Sequence, residues 1–318
     1  MAVFLTENDV KQVLTVDMAM AGVESAHRDL ALGQALDTPR QRSRLPQTVL
    51  HILQGALSAQ GVLGYKAYTS NRSGNRFLVH LFDAGSGQLK AVIEADYLGM
   101  MRTGAASGVA ARWLARPDAT VAGVFGTGWQ AEGHVRAICA ALPLELVKVC
   151  GRDAGKLRDF CVRMSEQTGR RVVAAANAED AVREADLIGT VTTAAKPLFD
   201  ADWLKPGVHI NAAGSNALIR QELSEAAVRR CDLVVVDSVP TALAEAGDLL
   251  PLLEKGRLQP RQLVELGEII VGRHPGRGAA EQLSLFESQG MAIQDLAVAL
   301  RVLAAATDRG LGAEVPWQ

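Results

Sequence analysis

The sequence lacks an excess of positive charge, long apolar runs and a recognisable export signal. Its formal net charge is −2, so it offers no basic surface of the kind that attracts nucleic acids or anionic membranes. No run reaches about 18 apolar residues, the length of a transmembrane helix. Residues 1–7 also lack the basic and apolar regions of a signal peptide. We therefore expect a cytoplasmic protein that binds neither nucleic acid nor membrane.

Paired cysteines and metal-binding motifs are missing as well. The four cysteines are scattered, and no two have the C-x-x-C spacing of a metal or redox site: Cys139, Cys150, Cys161 and Cys231. The histidines show no H-x-x-x-H pattern either. We expect four reduced thiols that behave as small apolar side chains, and we expect no metal site.

The chain is long enough for two domains, and its composition allows each of them a core. It has 318 residues, of which 48% are hydrophobic and 21% are charged. The segment Arg116-Pro-Asp118 predicts the boundary. We expect a first domain over residues 1–116, to which a C-terminal helix within residues 289–318 returns, and a second domain over residues 117–288.

A glycine-rich turn organises the second domain. Residues 120–131 predict a buried strand, the turn Gly126-Thr-Gly128, and the start of a helix whose third residue is Ala131. This G-x-G-x-x-A pattern permits a tight turn, a close approach of backbone N–H groups to a pyrophosphate, and close packing of helix on strand. The positive end of the helix, predicted over residues 129–141, then points at the phosphates. Alone, the pattern is weak, because such turns also occur for structural reasons.

Alternating strands and helices follow this turn and strengthen the dinucleotide interpretation. The predicted strands are Val121–Phe125, Leu146–Cys150, Arg171–Ala175, Leu187–Thr192, Val208–Ala212 and Leu233–Asp237. Helices are predicted between them, at residues 154–168, 177–185 and 221–230. Six such strands predict an α/β fold with a Rossmann doubly wound parallel sheet, whose chemistry lies outside the carboxyl ends of the strands.

The end of the second strand indicates which dinucleotide is preferred. An acidic residue at this place usually binds the ribose 2′-hydroxyl of NAD. Here Gly151 occupies the position, Arg152 follows it, and Asp153 comes one residue later. Because an arginine suits a 2′-phosphate, the sequence favours NADP(H), while NAD(H) stays possible through Asp153.

The residues before the boundary predict a smaller, mostly antiparallel α+β domain, with strands between residues 40 and 94. In the first of these strands, Arg40, Arg42 and Arg44 alternate with other residues, so all three would project from one face. His80, in a later strand, is a candidate proton donor, although such a histidine is more often a packed sheet residue.

Two predicted helices carry unusual residues. The helix over residues 95–114 contains Gly104 and Gly108, which cost roughly 1 kcal/mol each relative to alanine, so we expect a close neighbour or a ligand there. The last helix, about residues 289–307, is apolar on most sides but carries Asp295. Such a helix is a core element or an oligomer contact.

Seven motifs lie in order along nearly the whole chain. They are Gly64-Tyr-Lys66, Ile93-Glu-Ala-Asp96, Arg102-Thr-Gly-Ala-Ala106, Gly126-Thr-Gly-Trp-Gln-Ala131, Asn211-Ala-Ala-Gly-Ser215, Gly267-Glu-Ile269 and the stretch from Leu285 to Leu296. Together they resemble the ornithine cyclodeaminase and mu-crystallin family of NAD(P)-dependent enzymes. The resemblance implies a homodimer whose first domain, with the last helix, provides the dimer contact and much of the substrate site. It also implies hydride exchange at the α-carbon of an amino or imino acid.

The resemblance further implies which residues bind substrate and cofactor. In the family a substrate carboxylate is held by an early-strand arginine, the lysine of G-x-K and the arginine of R-T-G-A. The matching residues are Lys66, Arg102 and either Arg42 or Arg40, and the count back from Pro46 favours Arg42. The residues expected to contact the cofactor lie at strand ends or in matched motifs: Thr103, Gly126, Thr127, Gly128, Trp129, Gln130, Ala131, Arg152, Thr192, Ala213, Gly214 and Ser215.

One departure from the family pattern separates the possible activities. The cyclodeaminases carry an aspartate where this chain has Asn216, and an amide cannot act as a general base. Reduction of an existing C=N bond needs no such base. We therefore expect reduction of Δ1-pyrroline-2-carboxylate to L-proline, with Lys66 and Asn216 near the reacting atoms. Ornithine cyclodeaminase, an alanine dehydrogenase, and a non-catalytic NADPH- or ligand-binding protein of the mu-crystallin type are the alternatives.

Overall fold

The computed structural model of the chain describes residues 2–316. The strands are β1 (Ala2–Leu5), β2 (Ala35–Arg44), β3 (Val49–Leu57), β4 (Val62–Asn71), β5 (Gly74–Asp83), β6 (Leu89–Glu94), β7 (Val121–Phe125), β8 (Leu146–Cys150), β9 (Arg171–Ala174), β10 (Leu187–Thr190), β11 (His209–Ala212), β12 (Leu233–Val236), β13 (Leu263–Glu265), β14 (Ser284–Glu287) and β15 (Ala313–Val315). The helices are α1 (Glu7–Val13), α2 (Val16–Ala31), α3 (Asp96–Leu114), α4 (Trp129–Ala141), α5 (Ala154–Thr168), α6 (Ala178–Val182), α7 (Glu225–Arg230), α8 (Val239–Glu245), α9 (Leu250–Glu254), α10 (Leu266–Ile270) and α11 (Ala292–Asp308).

The chain divides into two compact units. The first unit contains the residues up to Arg102 and those from Gly290 onward, and the second runs from Thr103 to Gln289. The division falls inside α3, whereas the sequence placed it near residue 116. The last helix, α11, belongs to the first unit. No helix in the described chain combines the length and the apolar character that crossing a membrane requires.

The first unit is built on a sheet of seven strands in the order β15-β1-β6-β5-β4-β3-β2. All neighbouring strands run antiparallel except β1 and β6. α11 covers one face of this sheet, because added Cβ atoms at Gly55 and Gly64 would meet Ile293 and Leu296 at 2.9 and 3.1 Å. Side chains alternate along a strand, so Lys66 lies on the same covered face as Gly64.

The opposite face of this sheet is exposed and rich in apolar side chains. Tyr65 stacks on His80 there, with ring centroids 4.5 Å apart. Leu36, Leu50 and Leu63 are 73%, 37% and 41% exposed on the same face. His80 therefore projects from the face opposite to Lys66, and its role as a proton donor stays a prediction.

The second unit confirms the predicted α/β fold. Its sheet has eight parallel strands in the order β13-β12-β14-β11-β10-β7-β8-β9. All six predicted strands are present, and β7, β8, α4 and α5 have the predicted bounds. The predicted helix at 221–230 is shorter in the structure, since α7 begins at Glu225.

The sequence missed β13 and β14, and β14 changes the order of the sheet. It lies between β11 and β12, so the last predicted strand does not pair with β11. β14 has four residues with Ser284 and Glu287 at its ends, all of them buried. Because two of its four residues are polar, the segment does not show the continuous apolar run by which a buried strand is predicted from sequence. Their burial depends on partners far away in sequence, such as the Leu114 carbonyl that accepts from Ser284 Oγ.

The glycines of α3 confirm the predicted close approach. A Cβ on Gly104 would lie 2.1 Å from the Gly133 carbonyl carbon, and a Cβ on Gly108 would lie 2.9 Å from the Ala137 carbonyl oxygen. The neighbour is therefore α4, which packs against the second-unit part of α3. The four cysteines are free thiols, two buried and two half-buried, and burial raises the pKa of each.

Candidate active site

Three buried charged residues form a compact group in the first unit, called here the cation cluster: Lys66, Arg102 and Asp295. Lys66 on β4 donates from Nζ to Asp295 Oδ1 at 3.0 Å, and Arg102 on α3 donates from Nε to the same oxygen at 2.9 Å. Lys66 is 3% exposed, Arg102 is 7% exposed and Asp295 is fully buried. Two predicted substrate ligands are thus brought together, and the buried acid noted in the last helix lies between them.

The environment tunes the proton affinity of Lys66. Burial lowers the pKa of this ammonium to about 8, the positive charges of Arg102 and Arg40 contribute to the lowering, and Asp295 opposes them. Since each buried charge loses its hydration, a lysine in such a place keeps its proton only because an anion is near. Lys66 can therefore exchange a proton close to neutral pH, as a catalytic acid must.

Polar contacts from other elements fix the guanidinium of Arg102. Its Nη1 donates to Gln294 Oε1 at 3.0 Å, and Gln294 Nε2 lies 3.0 Å from Nε2 of His27 on α2. Gly290 has a φ of +80°, and a Cβ there would lie 2.6 Å from Arg102 Nη1. Only glycine suits this position. The signal in the sequence was the glycine directly before the last helix, in Ser288-Gln-Gly-Met291.

The early-strand arginines are separated by an irregularity in β2. The pairing of β2 with β3 shifts by one residue between Thr38 and Gln41, so Arg40 lies in a bulge opposite Leu53, the strand partner of Lys66. Arg40 lies close enough to lower the pKa of Lys66. In the sequence, counting residues back from Pro46 favoured Arg42 over Arg40. A β-bulge inserts an extra residue into a strand, and counting along the sequence does not detect it.

Arg42 pairs with His51 one row further along the sheet. The charges of Arg40, Arg42 and Arg44 all act on His51 and, together with burial as the largest cause, lower its pKa to about 4. The three arginines thus surround one imidazole, which agrees with their predicted common face. His51 stacks on Tyr68 with centroids 4.2 Å apart and is neutral at physiological pH.

Aromatic rings lie beside the Lys66 ammonium. Tyr68 contacts Phe77 with ring centroids 4.8 Å apart. Lys66 Nζ lies 5.9 Å from the Tyr68 centroid and 5.4 Å from the Phe77 centroid. Such rings attract a cation through their π faces, and they also provide an apolar wall beside the charged group.

The glycine turn in the second unit has the geometry of a phosphate site. Gly126 has a φ of +123°, and a Cβ there would lie 2.5 Å from the Val191 carbonyl oxygen. Gly128 is the N-cap of α4, has no side-chain cap, and has open space at its Cβ position. The start of α4 is therefore not capped by a side chain at Gly128, and helix starts of this kind bind anions. Thr127 is half-buried, Trp129 and Gln130 are exposed, and Ala131 is buried.

At the end of β8, Gly151 leaves little space for a side chain of any kind. A Cβ on Gly151 would lie 2.8 Å from Thr127 Cγ2. Asp153 caps α5, because its side chain accepts from the Lys156 N–H at 2.9 Å. Arg152 is exposed. The carboxylate of Asp153 is thus already engaged in the start of a helix, and Arg152 is open to solvent.

Buried acids connect the loops that follow β10 and β11. Glu222 accepts from the Thr192 N–H at 2.6 Å and from the Gly214 N–H at 2.8 Å. Asp248 in turn accepts from the N–H groups of Glu222 and Leu223. One carboxylate therefore positions two residues predicted to contact cofactor.

Glu287 at the end of β14 completes this group, called here the acid cluster: Glu222, Asp248 and Glu287. Its Oε1 accepts from Ser215 Oγ and from Gln289 Nε2. Burial raises the pKa of Glu287 well above its usual value, and the neighbouring Asp248 and Glu222 raise it further. The sequence missed these acids, since none stands in a spacing typical of a site.

Asn216 is engaged by a neighbour in its own loop. Its Oδ1 accepts from Arg220 Nη1 at 3.2 Å, and the same nitrogen lies 3.4 Å from the Gly214 carbonyl oxygen. Ala213 and Thr192 are half-buried, Ser215 is buried, and Thr103 is half-buried on α3. Residues 2–316 contain no group of histidine, cysteine, aspartate and glutamate suited to hold a metal ion.

Comparison with known proteins places these residues in a family. A profile described as the ornithine cyclodeaminase/mu-crystallin family matches residues 1–310. A Δ1-pyrroline-2-carboxylate reductase of Bacillus cereus is 39% identical over 241 residues, which cover 76% of this chain and 74% of the relative.

Two solved structures resemble the fold over almost its whole length. The Thermococcus litoralis Δ1-pyrroline-2-carboxylate reductase, in complex with NADH and L-proline, has a TM-score of 0.94 at 28% identity and covers 98% of this chain and 100% of that one. An archaeal alanine dehydrogenase dimer with bound NAD has a TM-score of 0.93 at 30% identity and covers 100% of this chain and 99% of the other.

Proposed function

Because the chain belongs to the ornithine cyclodeaminase/mu-crystallin family, as its motifs predicted, we propose that it is a nicotinamide-dependent reductase of cyclic ketimino acids. The leading reaction is the reduction of Δ1-pyrroline-2-carboxylate to L-proline. The observation that carries this proposal is the cation cluster, in which two buried cations share a single carboxylate oxygen. The named activity of the Bacillus cereus and Thermococcus litoralis relatives supports the choice of substrate.

The cation cluster suits a substrate carboxylate. Lys66 and Arg102 carry two positive charges against the one negative charge of Asp295, so an anion restores neutrality. Arg102 uses Nε and Nη1 within the protein, and we assign Nη2 to the ligand. Arg40 is the early-strand arginine that we assign to the carboxylate, because its charge acts on Lys66. The rings of Tyr68 and Phe77 would then contact the apolar methylenes of a small ring.

The reduction adds a hydride to the imine carbon and a proton to the nitrogen. A bound nicotinamide cofactor supplies the hydride. Lys66 supplies the proton, since burial brings the pKa of its ammonium to about 8 and a proton donor works best near the pH of the reaction. Asn216 cannot serve as a base, and its side chain already accepts from Arg220.

The second unit is proposed to bind the cofactor, and its residues fit that group. The uncapped start of α4 offers backbone N–H groups to the pyrophosphate. Glu222 holds Thr192 and Gly214, where the nicotinamide is expected. Arg152, exposed at the end of β8, favours the 2′-phosphate of NADP(H). Both similar solved structures were obtained with NADH or NAD, so NAD(H) is the competing choice.

A homodimer is proposed to form through the exposed face of the first-unit sheet. Leu36, Leu50 and Leu63 expose large apolar side chains there, and exposed apolar surface on one face is typical of an interaction site. The archaeal relative was solved as a dimer. The first unit would then bind substrate and provide the dimer contact.

A single steady-state screen tests the proposed activity. Purified protein is assayed with Δ1-pyrroline-2-carboxylate, pyruvate plus ammonia, and L-ornithine plus oxidised cofactor, each with both nicotinamide cofactors. We expect the highest kcat/KM for the cyclic imine and no ammonia from ornithine. Faster pyruvate amination would favour the alanine dehydrogenase, ammonia release at a comparable rate would favour ornithine cyclodeaminase, and cofactor binding without turnover would favour a binding protein.

The matched variant Arg152→Gln tests the cofactor preference. It keeps the side chain polar but removes the charge, so we expect about a tenfold rise in the KM for NADPH, from one lost charge-assisted contact. The KM for NADH should change little. Equal changes for both cofactors would contradict the assignment of Arg152 to the 2′-phosphate.

A further inference from the structure

We propose that Asp295 is a positioning residue that keeps Lys66 protonated and holds Lys66 and Arg102 together around the substrate carboxylate. The inference rests on the proposed function, because it assigns how the proton donor of that reaction is prepared. Asp295 lies on α11, far in sequence from the β-strand that carries Lys66.

The geometry gives Asp295 control over both cations. One oxygen, Oδ1, accepts from Lys66 Nζ at 3.0 Å and from Arg102 Nε at 2.9 Å. The two donor nitrogens are therefore no more than 5.9 Å apart, the sum of those two distances, so Asp295 holds the ammonium and the guanidinium side by side. Oδ2 is buried without a hydrogen-bond partner among residues 2–316. Both interactions thus depend on a single atom, and losing it releases both side chains.

The charges around Lys66 make this one anion decisive. The charged or titratable groups that face the cluster are the following: His27 on α2, Arg40 on β2, His51 on β3, Lys66 itself and Tyr68 on β4, and Arg102 on α3. Asp37 on β2 accepts instead from the Ile293 N–H. Burial, Arg102 and Arg40 all lower the pKa of Lys66, and Asp295 raises it.

Removing the charge of Asp295 should therefore cause Lys66 to lose its proton at a lower pH. A neutral lysine neither attracts a carboxylate nor donates a proton to the imine nitrogen. The consequence is a change in the pH dependence of catalysis, which a purely structural role of Asp295 would not produce. A structural role would instead reduce activity by the same factor at every pH.

The test compares kcat/KM for Δ1-pyrroline-2-carboxylate from about pH 6 to about pH 10 in the wild-type enzyme and in Asp295→Asn. In the wild type we expect a decline above about pH 8, approaching tenfold per pH unit. In Asp295→Asn the decline should begin at least about one pH unit lower. The ratio of wild type to variant should then grow at least about fivefold between about pH 6 and about pH 8. A ratio that stays constant over this range overturns the inference.

A matched control variant exists in the second unit. Asp186 is also a buried acid between two cations, with Arg116 Nη2 at 2.8 Å and Lys205 Nζ at 2.7 Å. Asp186→Asn should lower the melting temperature but leave the decline of kcat/KM at the wild-type pH. A shift in this control equal to that of Asp295→Asn would show that any lost buried acid alters the profile, and would overturn the inference.

Removing one partner of a buried ion pair can prevent folding, so a second variant retains the charge. Asp295→Glu moves the carboxylate by one methylene, and folding is verified by thermal melting and by the fluorescence of bound NADH. We expect its decline in kcat/KM to begin below that of the wild type and, where both fold, above that of Asp295→Asn. A profile that superimposes on the wild type overturns the inference even if Asp295→Asn does not fold.

A binding measurement separates failure of this inference from failure of the proposed function. Pyrrole-2-carboxylate is a planar ring acid that cannot be reduced by hydride under these conditions, and its affinity is measured by calorimetry over the same neutral-to-alkaline range. If the wild type fails to bind it and fails to reduce the imine, the proposed function is wrong. If the wild type binds but Asp295→Asn shows the same pH dependence of affinity, the positioning role is wrong.

Discussion

The cation cluster of the first unit and the acid cluster of the second unit place buried ionisable groups together in different ways. In the cation cluster, one carboxylate contacts both cations directly, so opposite charges compensate one another. In the acid cluster, the hydrogen-bond partners within residues 2–316 are backbone N–H groups, side-chain hydroxyls and one amide. Burial consequently raises the pKa of all three acids.

The two arrangements of buried ionisable groups suit different roles, one in binding and reaction and the other in positioning the backbone. Paired ions keep their charge in a buried place and can act on a charged ligand, at the cost of their hydration. Acids without a cation tend to take up a proton and then serve as hydrogen-bonding groups that hold backbone in place. We infer that the cation cluster acts on substrate, while the acid cluster positions the loops after β10 and β11.

The largest expected effect follows from replacing Lys66, the proposed proton donor. Lys66→Met keeps an unbranched side chain but has neither charge nor proton. We expect kcat/KM for the cyclic imine to fall by about 10²–10⁴, the usual contribution of a general acid. The affinity for NADH, measured by fluorescence titration, should stay at the wild-type value, since the glycine turn belongs to the other unit. A variant that retains most of its kcat/KM would end the assignment of Lys66 to catalysis.

A pair of arginine variants tests which strand residue belongs to the cation cluster. We expect Arg40→Gln to raise the substrate KM by about 10–100-fold, from one lost charge-assisted contact, and Arg42→Gln to raise it much less. Arg40→Gln should also move the decline of kcat/KM to higher pH, because the charge of Arg40 lowers the pKa of Lys66. A larger rise in KM for Arg42→Gln would instead support Arg42, the residue favoured by counting back from Pro46. It would contradict the assignment of Arg40, which rests on the bulge in β2.

In the acid cluster, Glu222→Gln should destabilise the fold. Each oxygen of the Glu222 carboxylate now accepts a hydrogen bond from one backbone N–H group. In the glutamine variant the NH₂ group would face one of these N–H groups. That buried donor would lose its acceptor, at a cost of about 1–3 kcal/mol of folding free energy. Denaturant unfolding measures this loss. Glu225→Gln is the matched control, because it removes a surface carboxylate paired with Lys255 and Arg257, worth at most about 1 kcal/mol.

The smallest effect is expected for Glu287→Gln, because a protonated carboxyl group and an amide have similar shapes. At about pH 5 its free energy of unfolding should lie within about 1 kcal/mol of the wild type, since the Oε1 contacts are kept. The pKa of Glu287 is raised in the folded state. The folded protein therefore holds more protons above the unfolded pKa of about 4.5, and wild-type stability falls as pH rises.

The glutamine variant does not titrate, so its stability relative to the wild type should increase between about pH 5 and about pH 8. Unfolding curves at these two pH values measure the difference. If the wild type instead gained stability relative to the variant over this range, Glu287 would be an ionised and compensated acid, and the contrast between the two clusters would disappear.

Most of the second-unit fold was predictable from the sequence, and most of the cation cluster was not. β7, the glycine turn and α4 form a continuous segment in which apolar spacing and glycine positions specify the structure locally. Lys66 and Arg102 were found only through their motifs, and their partner Asp295 was noticed only as an odd acid in an apolar helix. No pattern within a single element indicates that these three side chains meet.

By itself, the sequence determined the alternation of strands and helices, the glycine turn, the absence of an acidic residue at Gly151 and the family. These features depend on neighbouring residues, whose spacing encodes them directly. Only the tertiary structure decided that Asp295 meets Lys66 from 229 positions away, that Arg40 lies at a bulge in β2, and that β14 enters the sheet. The reason is physical: a buried polar group is stable only with a suitable partner, and that partner comes from a distant part of the chain.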